Sequence, residues 1–179
     1  MEAMTPEEIV DAFKRKFDAD VLDIYAQRKK AGIRGETKRA WVRIALPRFR
    51  DAVRFLCTLQ DHPHLSVISG QDLGKEVELI YHFSIFYGRK LEEVEVMIAV
   101  RLPKEDLVVP TITDMIPGAV VHEREQQDML GVKVEGIPDP RRIFLPDDFP
   151  EGLYPLRLDK TGIPDGHKIV RKAPYPEEK

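Results

Sequence analysis

Apolar residues alternate along two stretches of the chain with the two-residue period of a half-buried β-strand. Every second residue from Val77 to Tyr87 is apolar, and the same pattern recurs in Glu93–Leu102, where Glu95 and Arg101 occupy intervening positions. Because successive side chains of a strand point to opposite faces, each stretch predicts a strand with one buried face. The three residues 88–90 between them predict a hairpin connection.

Two other stretches carry apolar residues at three- and four-residue intervals, which is the spacing of one helix face. At the start of the first, Thr5 and Glu8 have the spacing of a capping box, and Pro6 takes the first helical position. The second follows Pro47. Shorter apolar runs predict three further strands, at Val21–Ala26, Ala40–Leu46 and Leu65–Ser69.

The predicted order is helix, strand, strand, helix and then three strands. This order indicates an α+β fold in which helices pack on one face of an antiparallel or mixed sheet. We assign this α+β domain to residues 1–103. Residues 104–136 are predicted to belong to the same domain, with helix in parts of Thr113–Leu130 and one short strand after Gly131.

The rest of the chain, residues 137–179, has a different composition. Eight of the 14 prolines lie from Pro138 onward. Because proline fixes φ and lacks an N–H donor, this segment predicts extended chain rather than a helix or a central strand. Such a segment buries little on its own, so we expect an extended tail that wraps a partner subunit.

The composition is that of a globular protein, with 42% apolar residues, 33% charged residues and a formal net charge of −3. The longest uncharged stretches are about half of the ~20 residues that a membrane-spanning helix needs. The first residues are acidic, which is not typical of a secretory signal, so we expect a cytoplasmic location. A basic run at residues 28–39 lacks interleaved aromatic residues, and we interpret it as a hairpin turn rather than a nucleic-acid site.

The histidines and the cysteine predict no cofactor site. The pair in His62–His64 has no third ligand nearby, and His122 is followed by Gln126 where a helical zinc motif needs a second histidine. His82 falls in a predicted strand, on its outer face. The sequence has no glycine-rich phosphate loop, and Cys57 alone cannot hold an iron–sulfur cluster. We therefore expect this chain to bind no metal, flavin or nucleotide.

One cluster of charged residues lies in the predicted helix before Gly131. Its members are Glu123, Arg124, Glu125 and Asp128. Their three- and four-residue spacings bring acids and the arginine to one side of a helix. Three interpretations are open: a solvated helix face, the paired carboxylates of a small stand-alone enzyme, or acids that bind the guanidinium groups of Arg141 and Arg142. The third would hold the tail against its own domain or against a partner.

These charged residues begin a dense motif that runs from residue 123 to residue 159. Its members are Glu123, Arg124, Glu125, Asp128, Gly131, Gly136, Pro138, Asp139, Arg141, Arg142, Pro146, Asp147, Asp148, Pro155, Leu156, Arg157 and Asp159. The motif resembles the signature of the thirty-kilodalton subunit family of respiratory complex I, the NADH:quinone oxidoreductase. The resemblance implies partner-binding roles for these residues and assigns none of them to catalysis.

The same resemblance implies a cofactor-free structural and assembly subunit in the peripheral arm of a membrane-bound, ion-translocating oxidoreductase. Its tail would wrap a large catalytic subunit like that of nickel–iron hydrogenases, and a small iron–sulfur subunit would be another partner. Iron–sulfur clusters and any nickel–iron centre would then belong to those partners. The implied position is the cytoplasmic side of the cell membrane, with the membrane arm contacted only indirectly.

Two departures from the family pattern bear on the branch to which the chain belongs. The family commonly has Gly-His-Pro at two places where this chain has Gly136–Pro138 and Leu153–Pro155, so both histidines are absent. Their absence favours the energy-converting, ferredoxin-linked hydrogenases and their relatives. The alternative is the same subunit of an NADH- or other donor:quinone oxidoreductase.

Overall fold

The computed structural model describes residues 3–32, 35–89 and 91–164. Its α-helices are α1 (Pro6–Phe17), α2 (Phe49–Leu59) and α3 (Ala119–Leu130). Its strands are β1 (Val21–Ala31), β2 (Gly35–Ile44), β3 (His64–Asp72), β4 (Glu76–Ile85), β5 (Val94–Pro103), β6 (Val108–Pro110) and β7 (Lys133–Glu135). Among the helices of these described residues, none is long and apolar enough to cross a membrane.

The first two helices form where the apolar spacing predicts them. At the start of α1, the Thr5 hydroxyl accepts a hydrogen bond from the Glu8 N–H at 3.2 Å, and the Glu8 carboxylate accepts one from the Thr5 N–H at 2.8 Å. The predicted capping box is therefore formed. α1 and α2 are in contact: the ring of Phe13 in α1 meets the ring of Phe55 in α2 edge-on, with centroids 5.0 Å apart.

Five strands form one mixed sheet in the order β1-β2-β5-β4-β3. Neighbouring strands are antiparallel except for β2 and β5, which run parallel. The parallel pair is possible because α2 and the β3–β4 hairpin separate the two strands in sequence and provide the crossover. The prediction of an α+β fold with a mixed sheet is confirmed.

The alternating residues of the two central strands line the core under the helices. The inward side chains of β5 are fully buried, namely Val94, Val96, Ile98, Val100 and Leu102. On β4, the ring of Tyr81 lies 4.6 Å from that of Phe49 in α2. The last residue of the predicted alternating set, Tyr87, is 43% exposed. The strand ends at Ile85, and a positive φ of 57° at Phe86 turns the chain before that tyrosine.

Residues 104–136 extend this core with a second, two-stranded sheet. β6 and β7 pair in parallel with Val109 opposite Val134, and both valines are buried. β7 forms where a short strand is predicted, whereas β6 has three residues and carries no alternation that would predict it. α3 packs against β3, where Gln126 donates a hydrogen bond to the Ile68 carbonyl at 2.8 Å.

Within the described part of the tail, residues 137–164, the chain forms turns and extended segments and no helix or strand. This part lies against its own domain, mainly along α3. The expectations that concern residues 165–179 fall outside the described residues. That the tail wraps a partner subunit stays a prediction.

The close approach of α3 to β3 makes Gly70 a test of this packing. A Cβ at this position would collide with the amide oxygen of Gln126 and a methyl group of Leu130. We expect Gly70→Ala to lower the free energy of unfolding by about 1–3 kcal/mol, which is the usual cost of overpacking a core. Gly118→Ala is the matched control, because Gly118 has a φ of −66° and open space at its Cβ position. Equal thermal unfolding of the two variants would contradict the packing.

Candidate docking site on the C-terminal segment

A buried carboxylate on α3 fixes the first part of the tail. Asp128 is 5% exposed, and its Oδ2 accepts hydrogen bonds from the N–H groups of Ile143, Phe144 and Leu145 at 2.9, 2.8 and 3.2 Å. Successive N–H groups that converge on one anion form a backbone nest. Residues 139–149, called the tail loop below, therefore turn around a charge that the helix supplies.

The preceding turn of α3 binds the same loop through carbonyl groups. Arg124 donates from Nε to the Arg141 carbonyl at 2.7 Å and from Nη2 to the Arg142 carbonyl at 3.0 Å. Gln127 adds a hydrogen bond to the Pro140 carbonyl at 3.3 Å. An extended segment leaves its main-chain groups without partners, and these side chains supply them. One side of α3 thus binds both the N–H and the C=O groups of the tail loop.

The two arginines of the tail loop make different contacts from those predicted. The Arg141 guanidinium binds Asp139 in a fork, with Nε–Oδ1 and Nη2–Oδ2 distances of 2.8 and 2.7 Å. These hydrogen bonds hold the pKa of Asp139 well below its usual range. Arg142 donates to the Phe149 carbonyl at 2.8 Å. The hypothesis that the α3 acids bind these guanidinium groups is therefore wrong for the described chain, because nearer partners within the loop engage both.

The glutamates of the cluster lie apart from the tail loop. Glu123 is 1% exposed and accepts hydrogen bonds from the Thr111 hydroxyl at 2.6 Å and from the Ile112 N–H at 2.9 Å. Burial raises the pKa of this carboxyl. Glu125 instead lies 3.9 Å from His122. The acids of the cluster thus bind different parts of the chain, and among the residues that the structure describes no three His, Cys, Asp or Glu side chains are arranged to hold a metal ion.

The following segment, residues 150–164, is called the strap and is fastened to the edge of the sheet. The buried Asp72 carboxylate accepts hydrogen bonds from the Leu158 N–H at 2.8 Å and from Lys104 Nζ at 2.7 Å. Lys104 also binds the Asp159 carboxylate. Burial opposes the charge on Asp72, but its hydrogen-bond partners outweigh burial and lower its pKa. The hydrogen bond from Lys104 lowers the pKa of Asp159 as well.

The strap also crosses the C-terminal end of α3. Gly131 caps the helix with a φ of 69°, and the ring of Tyr154 lies 2.6 Å from the position that a Cβ would take. The Leu156 N–H donates to the Met129 carbonyl at 3.0 Å. The Arg157 side chain is 8% exposed and lies 3.7 Å from the Asp159 carboxylate. One of the two positions that lack a family histidine, Tyr154, therefore packs on the helix end.

The remaining motif residues lie within the tail loop and the strap or just before them. Gly136 follows β7 with a φ of 80°, a conformation that favours glycine. Pro155 is half-buried within the strap. The exposed members are Pro138, Pro146, Asp147 and Asp148.

Residues 42–164 match the family described as "Respiratory-chain NADH dehydrogenase, 30 Kd subunit". The chain belongs to this family. The matched region runs from β2 through the strap, so α3 and the tail loop lie inside it. The family resemblance of the motif is confirmed.

Relatives of this family member carry hydrogenase names as well as complex I names. The chain is 40% identical over 139 residues to "Membrane-bound hydrogenase subunit beta" of Pyrococcus furiosus, which covers 78% of this chain and 79% of that protein. It is 33% identical over 164 residues to a subunit of the "NADH-quinone oxidoreductase" of Chloroherpeton thalassium, covering 90% and 62% of the two chains. It is 31% identical over 156 residues to "Hydrogenase-4 component G" of Escherichia coli, covering 86% of this chain and 26% of that protein.

A solved structure is similar to this chain over almost its whole length. The match is to a chain of the "membrane-bound sulfane sulfur reductase (MBS), an archaeal respiratory membrane complex", with 28% identity and a TM-score of 0.66. It covers 97% of each chain. The tail of this family member is therefore included in the comparison.

In this 30 kDa family member, the contacts of the tail leave a set of apolar side chains exposed. Ile143 and Phe144 are 39% and 51% exposed although Asp128 binds their N–H groups. Leu156 and Leu158 of the strap are 49% and 81% exposed. We call these four residues the apolar strip. Motif analysis named only Leu156, and the signal for the others is the presence of apolar residues in a proline-rich, charged segment.

The nest makes Asp128 responsible for order in the tail loop. Asp128→Ala leaves three N–H groups without their acceptor, and a hydrogen bond to a charged group contributes about 1.5–3 kcal/mol. We expect amide hydrogen exchange at residues 143–145 to rise roughly tenfold or more, because 1.4 kcal/mol corresponds to a factor of ten. Glu125→Ala is the control, since the contact of Glu125 is with His122. Unchanged exchange at these amides in Asp128→Ala would refute the nest.

The strap contacts give a defined dependence of stability on pH. The lowered pKa values of Asp72 and Asp159 mean that their contribution is present above about pH 4 and is lost as pH falls through those lowered values. Burial lowers the pKa of Lys104, but its bonds to both carboxylates raise it by more. The contribution of Lys104 is therefore complete below about pH 10 and is lost as pH rises through the raised value.

We accordingly expect the stability difference between wild type and Lys104→Met to be constant from about pH 5 to pH 9 and to shrink outside that range. Denaturant unfolding at each pH measures this difference. Lys133→Met, at an exposed lysine of β7, is the control and should show no such profile. A difference for Lys104→Met that changes strongly within the range would show that other groups dominate.

Proposed function

We propose that this chain is a docking and assembly subunit, without a cofactor of its own, in the peripheral arm of a membrane-bound, ion-translocating oxidoreductase. The supporting observation is that the two buried acids of the motif bind groups of their own chain. Asp128 binds three main-chain N–H groups, and Glu123 binds Thr111 and Ile112. A general acid or base must reach a proton of the substrate, whereas these carboxylates are buried and engaged with their own chain. Asp128 orders the exposed tail loop, which is the task of a binding subunit, and Glu123 stabilises the domain beneath it.

We propose the apolar strip, with the neighbouring Arg141, as the surface that binds a large catalytic subunit of the hydrogenase type. The main chain under Ile143 and Phe144 is already ordered, so binding costs little conformational entropy there. The side chain of Arg141 is 82% exposed beside them, in spite of its fork with Asp139. Apolar and arginine side chains on an ordered backbone are typical of interface anchors.

The length of one relative supports the proposal that the partner is a large subunit. This chain corresponds to about a quarter of "Hydrogenase-4 component G". When one protein contains as a segment what another organism makes as a separate chain, the rest of the longer protein is the natural neighbour of that segment. We propose that such a large subunit is the neighbour of this chain, on the cytoplasmic side of the membrane. We assign the nickel–iron centre to this large subunit and iron–sulfur clusters to a small iron–sulfur subunit of the same complex.

The alternative is the corresponding subunit of an NADH- or other donor:quinone oxidoreductase. It is supported by the 33% identity to the Chloroherpeton thalassium protein over 90% of this chain. The hydrogenase type is favoured by the 40% identity to the Pyrococcus furiosus subunit beta. The packing of Tyr154 on Gly131, where the family commonly has a histidine, also favours a divergent branch. Nickel in the purified complex would support the hydrogenase type, and quinone reduction without nickel would support the alternative.

The apolar strip can be tested by removing its two tail-loop side chains. We expect the Ile143→Ala/Phe144→Ala variant to recover the large subunit roughly tenfold less than wild type when the complex is purified through a tag on this chain, because interface anchors each contribute more than about 1 kcal/mol. The melting temperature of the isolated variant should not change, because both side chains are exposed.

Leu91→Ala is the matched control, since Leu91 is 60% exposed in the loop between β4 and β5. It should recover the complex as wild type does. Normal recovery in the double variant would rule out the apolar strip as the docking surface. A lower melting temperature would show that its residues serve the fold.

A further inference from the structure

The five-stranded sheet has a second face that the helices do not cover. Gln126 and Leu130 of α3 lie against Gly70 of β3, and Phe49 of α2 lies against Tyr81 of β4, so these helices share the inner face. The opposite side is called the outer face below. Its apolar residues are Tyr25, Trp41, Val67, Ile80, Met97 and Ala99, of which Met97 and Ala99 on the central strand are already buried among their neighbours.

Aromatic residues form the most prominent part of the outer face. The rings of Tyr25 and Trp41 stack with centroids 5.9 Å apart and planes 15° apart. The indole N–H of Trp41 donates to Asp23 at 3.2 Å, which fixes the ring on the sheet. Tyr25 is 46% exposed, and Val67 on the other edge strand is 38% exposed. Ordered aromatic side chains of this kind contribute large contact area at low entropic cost.

The charged residues of the outer face neutralise one another within the sheet. Arg39 Nε lies 2.7 Å from Glu95, and Arg101 Nε lies 2.8 Å from Glu78. Arg43 lies 3.8 Å from both Glu78 and Asp23. Arg101 also lies 3.6 Å from Glu76, so three arginines face four carboxylates, and Lys29 of β1 on the same face brings the net charge to zero. A face with no net charge does not attract nucleic acid or anionic lipid, because both are bound through their phosphates.

A further hydrogen-bonded chain crosses the same face. Ser69 Oγ and His82 Nε2 are 2.7 Å apart, and His82 Nδ1 and Glu95 Oε1 are 3.4 Å apart. The order matches a Ser–His–acid triad. In a central stretch of β3, however, the main-chain N–H groups lie in the plane of the sheet and none points at Ser69 as an oxyanion donor. The three side chains therefore act as part of the ordered polar surface.

The size of the outer face fits a protein partner. Five strands about 4.8 Å apart and about ten residues long at about 3.3 Å per residue give roughly 600–800 Å². One partner contributes about 800 Å² to a standard protein interface. A surface of this area, with exposed apolar side chains and charges that are already paired, needs no new salt bridge when another protein covers it.

We propose that the outer face docks a second protein subunit of the complex, one that presents a surface with apolar side chains and no net charge. This inference rests on the proposed function, since it requires the chain to belong to a complex. The partner differs from the one at the apolar strip, because the strip is attached to α3 on the inner side of the sheet. The chain therefore binds one subunit at the apolar strip and another at the outer face of its sheet.

Two tyrosines of almost equal exposure allow a direct test. Tyr25 on the outer face is 46% exposed, and Tyr87 in the β4–β5 loop is 43% exposed. In hydroxyl-radical footprinting, we expect oxidation of Tyr25 to fall at least about fivefold from the isolated chain to the purified complex, because a partner that covers the ring shields it from solvent. Tyr87 calibrates the radical dose in the same sample. Equal oxidation of Tyr25 in the two states overturns the proposal.

Charge placed on the outer face should separate the two partners. We expect Tyr25→Lys/Val67→Lys to lose one subunit of the complex and to keep the large subunit bound at the apolar strip, with Leu91→Lys as the control that loses neither. The Ile143→Ala/Phe144→Ala variant should lose the large subunit instead. Loss of the same subunit by both double variants overturns the second interface. Failure of the wild-type chain to copurify with any complex overturns the proposed function instead.

Discussion

An extended polypeptide that crosses a helix must find partners for its main-chain N–H and C=O groups, and this requirement organises the described part of the tail, residues 137–164. The proline-rich tail cannot form a strand ladder of its own. Asp128 accepts from three of its N–H groups, and Arg124 donates to two of its carbonyls. The charges of α3 are therefore part of the architecture. Their removal affects the order of the tail before it affects any partner.

Local patterns in the sequence predict local structure well here. The alternation in β4 and β5 and the capping box of α1 are properties of a few consecutive residues, and the structure contains all three. The parallel pairing of β2 with β5 depends on residues more than fifty positions apart, which no local pattern records. Tyr87 is predicted to be buried but is exposed, because Phe86 before it adopts a left-handed backbone conformation. A phenylalanine in the sequence does not predict this conformation.

The candidate site shows a similar division. Helical spacing correctly groups Arg124 and Asp128 on one side of α3, but it cannot say what crosses that side. The sequence predicts that the acids of α3 bind the arginine side chains of the tail. In the structure, Asp128 and Arg124 bind main-chain N–H and C=O groups instead. Every residue has these groups, so no sequence motif reveals which of them will be bound. Ile143 and Phe144 were missed for a related reason. Their exposure follows from how Asp128 turns the main chain.

The fastening of the strap has a consequence for biosynthesis. Asp72 and Leu158, which are joined by a hydrogen bond, are separated by 86 positions in the sequence, and Lys104 between them completes the contact through Asp159. A nascent chain that stops before the strap has left the ribosome still contains β3 and Lys104, but neither has its tail partner. The surface that carries Leu156 and Leu158 thus exists only on a chain that is translated past the strap. A product that ends before the strap keeps the Asp72–Lys104 pair but lacks the two tail groups that complete it.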